Sequence, residues 1–196
     1  MTVTTTDPTT GTTTDTSLDQ TTGTWVLDPS HSRIGFSAKH AMVTTVRGQF
    51  DSFDGSLTLD GGNPSASTSE LTIQAASITT SNTDRDNHLR SGDFLDVESY
   101  PTLSFTSTGV KDGQGDDFVM TGDLTIRGVT RPVELKVELE GVSKDPFGND
   151  RIGFSGHTVI SRKEFGLVWN VALEAGGVLV SDKVKIALDI SAIKQA

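Results

Sequence analysis

From Trp25 to the C-terminus, apolar and polar residues alternate with a period of two rather than 3.6, the signature of strands with one buried face. His31–His40 places Ile34, Phe36 and Ala38 on one side. Val46–Leu59 continues the alternation, but its apolar phase slips between Phe50 and Phe53, which predicts a bulge or bend within one long strand. Leu71, Ile73 and Ala75 mark a third strand ending near Ile78, and Leu103 with Phe105 a fourth. After a turn at Asp112–Asp116, Phe118–Ile126 forms a fifth, with Met120, Gly122 and Leu124 on one face. Val133, Leu135, Val137 and Leu139 mark the sixth, against Glu134, Lys136, Glu138 and Glu140. Ile152, Phe154, Thr158 and Ile160 mark the seventh, and Val184, Ile186, Leu188 and Ile190 the eighth.

One helix interrupts this pattern, between strands three and four. Thr83-Asp-Arg-Asp86 resembles a capping-box start, Leu89 is apolar, and Gly92 is a plausible stop. Eight long strands joined by hairpin-like turns allow a sandwich. They favour an all-β, antiparallel up-and-down barrel, because closure leaves no exposed edge. Residues 1–23 differ from everything that follows: they are mostly Thr, Asp and Gly, with little to bury. They are expected to be a disordered tail, with the folded domain at 24–196.

Composition narrows the function. With 26 acidic and 16 basic residues the net charge is −10, which argues against nucleic acid or an anionic membrane as partner. The absence of Cys excludes disulfides, thiolate metal sites and cysteine nucleophiles. No apolar run reaches the ~20 residues of a membrane span. No apolar segment of a secretory signal precedes the first basic residue, Arg33, so a cytoplasmic location is expected.

Four blocks of sequence carry a family resemblance. They are Trp25-Val-Leu-Asp-Pro-Ser-His-Ser-Arg-Ile-Gly-Phe-Ser-Ala-Lys-His40, His88-Leu-Arg-Ser-Gly-Asp-Phe-Leu through Phe105, Gly122-Asp-Leu-Thr-Ile-Arg-Gly-Val-Thr-Arg-Pro-Val133, and Ser161-Arg-Lys-Glu-Phe-Gly-Leu167 with Asn170. In this order they resemble the YceI-like family, with Leu95 standing where an aromatic often follows the Asp-Phe pair. The resemblance implies a lipocalin-like barrel around a long apolar ligand, typically a polyisoprenoid such as an isoprenoid quinone. It implies no established catalytic activity and no cofactor. Many members of the family are exported.

The residues themselves point the same way, because an eight-stranded barrel either packs solid or holds one small ligand. Ile34, Phe36, Ala38, Phe50, Ala75, Phe105, Met120, Gly122, Leu124 and Phe154 are expected to face the lumen, with Gly48 and Gly156 adding room. Phe165, Leu167, Trp169 and Asn170 lie in a Gly-hinged apolar loop that suits a lid or a plug. Arg90 and Arg162 are candidates for a polar rim at the mouth, against the alternative of structural ion pairs. Asp84, Asp86 and His88 resemble a metal cluster in print, but helix capping accounts for the carboxylates and no metal site is expected. Asp112-x-Gln-x-Asp116 only faintly resembles a calcium loop. The reading is of a non-enzymatic lipid binder or carrier, whose oligomeric state the sequence leaves open, a homodimer included. An enzyme acting on a lipidic substrate at the mouth is the rival, and a solid interaction module a third reading.

Overall fold

The computed structural model describes residues 18–112, 115–174 and 176–196. Its sheet contains eleven strands: β1 (Gly23–Leu27), β2 (Arg33–His40), β3 (Thr44–Phe50), β4 (Phe53–Leu59), β5 (Thr68–Gln74), β6 (Ile78–Thr79), β7 (Thr102–Asp112), β8 (Asp117–Ile126), β9 (Val129–Lys144), β10 (Asp150–Ser161) and β11 (Val180–Lys194). Three pairs of these are single lanes broken by a kink. β1 and β2 lie along one edge of β11, parted by a 3-10 turn at Pro29–His31. β3 and β4 part at Asp51-Ser52, where the apolar phase slips, and β5 and β6 at a 3-10 turn, Ala75–Ser77.

Three two-strand lanes reduce eleven strands to eight lanes, antiparallel and sequential, and the pairing of β1 and β2 with β11 closes them into a barrel. This is the up-and-down barrel that the alternation predicts, and the lipocalin-like architecture that the family resemblance implies. The eight predicted strands are the eight lanes. The β8–β9 hairpin turns on Arg127 and Gly128, both at positive φ (51° and 71°), as a primed two-residue turn requires. A Cβ on Gly128 would also lie 2.7 Å from the Tyr100 ring, so both backbone and packing select glycine there.

The helix α1 (Thr83–Arg90) lies between β6 and β7, as expected. Its cap differs in detail: Asn82, not Thr83, accepts the Arg85 N–H at 2.9 Å. Ser91 rather than Gly92 ends it, donating from both N–H and hydroxyl to the His88 carbonyl.

The start of the fold also lies earlier than composition suggests. Leu18–Thr21 forms a 3-10 turn, the Thr21 carbonyl accepts from Trp25 Nε1 at 2.8 Å, and Thr22 accepts from the Gly61 N–H. Averaging over a Thr-rich stretch hides Leu18, an apolar side chain that packs on the barrel. The remainder of the expected tail, residues 1–17, lies outside the described residues.

The interior is divided between the two ends. A large core at the α1 end joins Ile34, Phe53, Phe94, Leu124, Ile160 and Phe165, and a smaller one at the other end gathers Trp25, Leu139, Ile152 and Ala192.

Candidate functional site

Between these cores lies a cavity of ≈ 130 Å³, reaching toward the end opposite α1. The Leu18–Thr21 turn and the β4–β5 connection (Asp60, Gly61, Pro64) frame its mouth. Its walls come from alternate positions on successive lanes, among them Leu57, Leu71, Phe105, Met120, Leu135 and Phe154. The lining is mostly apolar, with Thr21, Ser67, Ser69 and Ser155 as neutral polar groups. Ser69 donates its hydroxyl to Met120 Sδ at 3.3 Å. Asp60 and Glu70 are the charged residues of the lining, and Asp60 also accepts the N–H groups of Gly62 and Asn63.

The residues expected in the lumen divide unevenly. Phe105, Met120 and Phe154 line the cavity. Ile34, Phe36, Phe50, Ala75 and Leu124 instead pack in or against the core at the α1 end, and half-buried Ala38 lies on the same stretch of β2. Gly122 faces inward but opens no space, because the Phe105 ring lies where its Cβ would be; Phe36 covers Gly48 in the same way. Gly156 does line the cavity, and a Cβ there would meet only ordinary contacts, the nearest at 3.4 Å. Cavity residues missed by the lumen expectation include Leu18, Pro64, Phe118 and Leu188. The alternation of β8 and β11 signals Phe118 and Leu188 as apolar positions, but nothing local signals Leu18 or Pro64.

The residues expected at a mouth or lid sit at the α1 end, and none of the six lines the cavity. Arg162 is 4% exposed and donates to the carbonyls of Leu167, Trp169, Val180 and Ser181, so it clamps the loop to β11. Burial pushes its guanidinium pKa down, and the Asp182 charge partly offsets this. Asn170 fixes the same junction by bonding both the N–H and the carbonyl of Val180. Phe165 and Leu167 are buried in the core. Trp169 stacks against His88 and Phe94, with centroids 4.6 and 5.3 Å away, and thus plugs this end. Arg90 donates to the carbonyls of Ala76 and Ile78, which docks α1 on the barrel. These side chains satisfy backbone groups that the closing loops would otherwise leave buried and unpaired.

Two polar clusters bear on chemistry. Asp28 accepts from Arg151 Nη1 at 2.7 Å, from the Ser30 hydroxyl and N–H, and lies 2.8 Å from His31 Nδ1. Arg151 also donates to Asp145 at 2.8 Å. Hydrogen bonds from Ser30 and then Arg151 hold the Asp28 carboxyl well below the usual range; Asn149 and then Arg151 do the same for Asp145. Although Ser, His and Asp meet here, the carboxylate sits in the middle. Ser30 donates to Asp28 and not to His31, so the arrangement lacks the nucleophile–base contact of acyl transfer.

Asp84, Asp86 and His88 do not converge. Asp86 accepts from Thr80 and Thr79, while His88 pairs with Asp93 at 2.8 Å. Burial raises the Asp86 carboxyl, but these threonine hydrogen bonds and the Arg90 charge outweigh it and leave the pKa lowered. No group of three or more His, Asp or Glu among the described residues is placed to hold a metal. The calcium-like stretch at Asp112–Asp116 includes residues 113 and 114, which lie outside the described residues. No helix among the described residues is long and apolar enough to cross a membrane.

Comparison with known proteins agrees with this architecture. A UPF0312 protein of Pseudomonas aeruginosa is 42% identical over 165 residues, covering 84% of this chain and 83% of that one. The crystal structure of a Campylobacter jejuni YCEI protein superposes with a TM-score of 0.69 at 30% identity, over 81% of this chain and 90% of the other. A polyisoprenoid binding domain from Saccharophagus degradans shares the fold at a TM-score of 0.66 and 15% identity, over 87% and 98% of the two chains. The family model of the YceI-like domain matches residues 25–192, from Trp25 in the first strand to Ala192 in the last, and the chain belongs to that family.

Proposed function

We propose that the barrel binds one chain-like apolar lipid, of the polyisoprenoid class, without transforming it. The apolar cavity with its framed mouth carries this reading. Dry apolar walls exchange well with a hydrocarbon and poorly with a sugar or phosphate. A cavity of about 150 Å³ takes a benzene-sized group, so the ≈ 130 Å³ seen here matches about one five-carbon unit. Longer chains require the mouth to widen, and the Leu18 turn and the flexible Met120 side chain are the adaptable parts of the wall. Among the described residues the carboxylate that borders the mouth is that of Asp60, since Glu70 is exposed on the outer face of β5, so the polar end of the ligand is neutral or cationic. A prenyl phosphate would meet like charge there. The polyisoprenoid binding domain of the same fold supports the ligand class.

Native mass spectrometry of the full chain purified without detergent, followed by organic extraction, tests the reading. A neutral isoprenoid bound one to one is the expected result. A barrel that emerges empty, and fails to take up a polyprenol or a quinone on addition, overturns it.

A further inference from the structure

Net charge averages over faces that differ sharply. On the outside of β2, β3, β10 and β11 the outward positions carry Arg33, Lys39, Arg47, Lys183 and Lys185 against one carboxylate, Asp189. Among the described residues, none of these five cations takes part in an ion pair; the pairs involve His31, His88, Lys144 and Arg151. Register sets their arrangement. Arg47 lies opposite Ser37, which lies opposite Lys185, so the two cations stand two lanes apart with only a hydroxyl between them. At strand spacings of about 4.8 Å, long side chains converge readily across such a gap. The neighbouring row, Gln49, Gly35, Ala187 and His157, supplies a floor with almost no side chain at its centre.

Arg33 lies over that floor. Its Nη1 is 3.1 Å from where a Cβ of Gly35 would be, while its Nε is held by Gln49 at 2.9 Å. The result is a hollow of ≈ 310 Å³ whose walls are Arg33, Arg47, Lys185 and His157. It shares no residue with the lipid cavity.

We propose that this hollow is a second binding site, for a phosphate-class oxyanion, on the outer wall of the barrel. Three unpaired cations around one depression repel each other, and an anion placed among them relieves that repulsion. Two guanidinium forks and an ammonium suit a group with several oxygens in different directions better than a halide or a single carboxylate. The Ser37 hydroxyl adds a neutral donor between them. The site does not depend on what the lumen holds.

The probes are inorganic pyrophosphate and phosphatidylglycerol vesicles, with phosphatidylcholine vesicles as the neutral control, all added to the full chain at low salt. Saturable pyrophosphate binding that shifts amides of β2, β3 and β11, and that weakens about tenfold or more in the Arg47→Gln/Lys185→Gln double variant, supports the site with a free phosphate as its source. Binding to phosphatidylglycerol but not to pyrophosphate or phosphatidylcholine, lost in the same double variant, supports it with a lipid headgroup as the source. Lys144→Gln, at the other end of the barrel, serves as the control for loss of a distant positive charge and leaves binding unchanged. Absence of binding to both anionic probes, or binding indifferent to the double variant, overturns the proposal.

Discussion

The ring of Phe105 fills the space that a side chain at Gly122 would need. The glycine is therefore complementary to an aromatic on the neighbouring lane, and the cavity wall at that point is a ring resting on bare backbone. Gly122→Ala should push Phe105 aside and cost about 1–3 kcal/mol, the usual penalty of overpacking. Chemical denaturation measures this; an alanine variant as stable as the parent would show that the ring moves freely.

Gly156 is the opposite case, since a Cβ there meets only ordinary van der Waals contacts beside the cavity. Gly156→Leu should fill the cavity and leave the barrel as stable as before or more so. Losing burial of one five-carbon unit, at about 0.8 kcal/mol per CH₂, forfeits about 4 kcal/mol. That is a loss of several hundredfold in polyprenol affinity. Paired melting and binding measurements separate this from general damage, and unchanged binding in a folded variant would place the ligand elsewhere.

Arg162 should matter to stability and not to ligand. Arg162→Met removes the donor from the carbonyls of Leu167, Trp169 and Ser181, while that of Val180 keeps its bond from Asn170, and a cost of about 3 kcal/mol is expected from those left buried. Lipid affinity of the surviving folded protein should match the parent. A variant of normal stability and weakened binding would restore the arginine to a ligand role.

Much of the fold is legible in the sequence because a period of two is a local signal. The phase slip between Phe50 and Phe53 even marks the kink of the second lane. The site is legible only in part. Phe105, Met120 and Phe154 carry the right alternation, but so does Phe36, which packs in the solid half; alternation tells inside from outside, not hollow from filled. Which half is hollow depends on long-range pairs such as Phe105 with Gly122. The arginines mislead for a related reason: Arg162 appears as a free charge in sequence, and only the folded loop reveals four carbonyls around it.

Acid should weaken the Asp28–Arg151–Asp145 cluster. Both carboxyls titrate below their ordinary range in the folded protein. Their stabilisation is thus complete above the unfolded-state value of about 3.9 and is lost as pH falls through the folded values. Arg151→Met should be less stable than the parent at neutral pH, because both carboxylates lose their charged donor. The gap should narrow below about pH 4. A gap that stays constant from neutral pH into acid would show that Arg151 acts through packing alone.

Trp25→Phe keeps the buried ring position but removes the indole donor to Thr21. A loss of about 1 kcal/mol is expected, with freer movement of the Leu18 turn. Lipid should therefore enter and leave faster than in the parent, a change that stopped-flow transfer between vesicles and protein would show. Identical exchange rates would mean that the turn does not limit passage.

The seam of the barrel joins the two ends of the chain, since Trp25 pairs with Lys194 across 169 positions of sequence. Contacts so distant in sequence carry a large loop-closure entropy and form slowly. A nascent chain has no β11 to offer until the other ten strands have emerged, so β1 and β2 present an unpaired edge from early in translation and β10 from its own emergence onward. Exposed edges of this kind invite pairing with other chains. The same pairing that seals the barrel at its seam thus concentrates its aggregation hazard in the interval before the fifteen-residue β11 emerges.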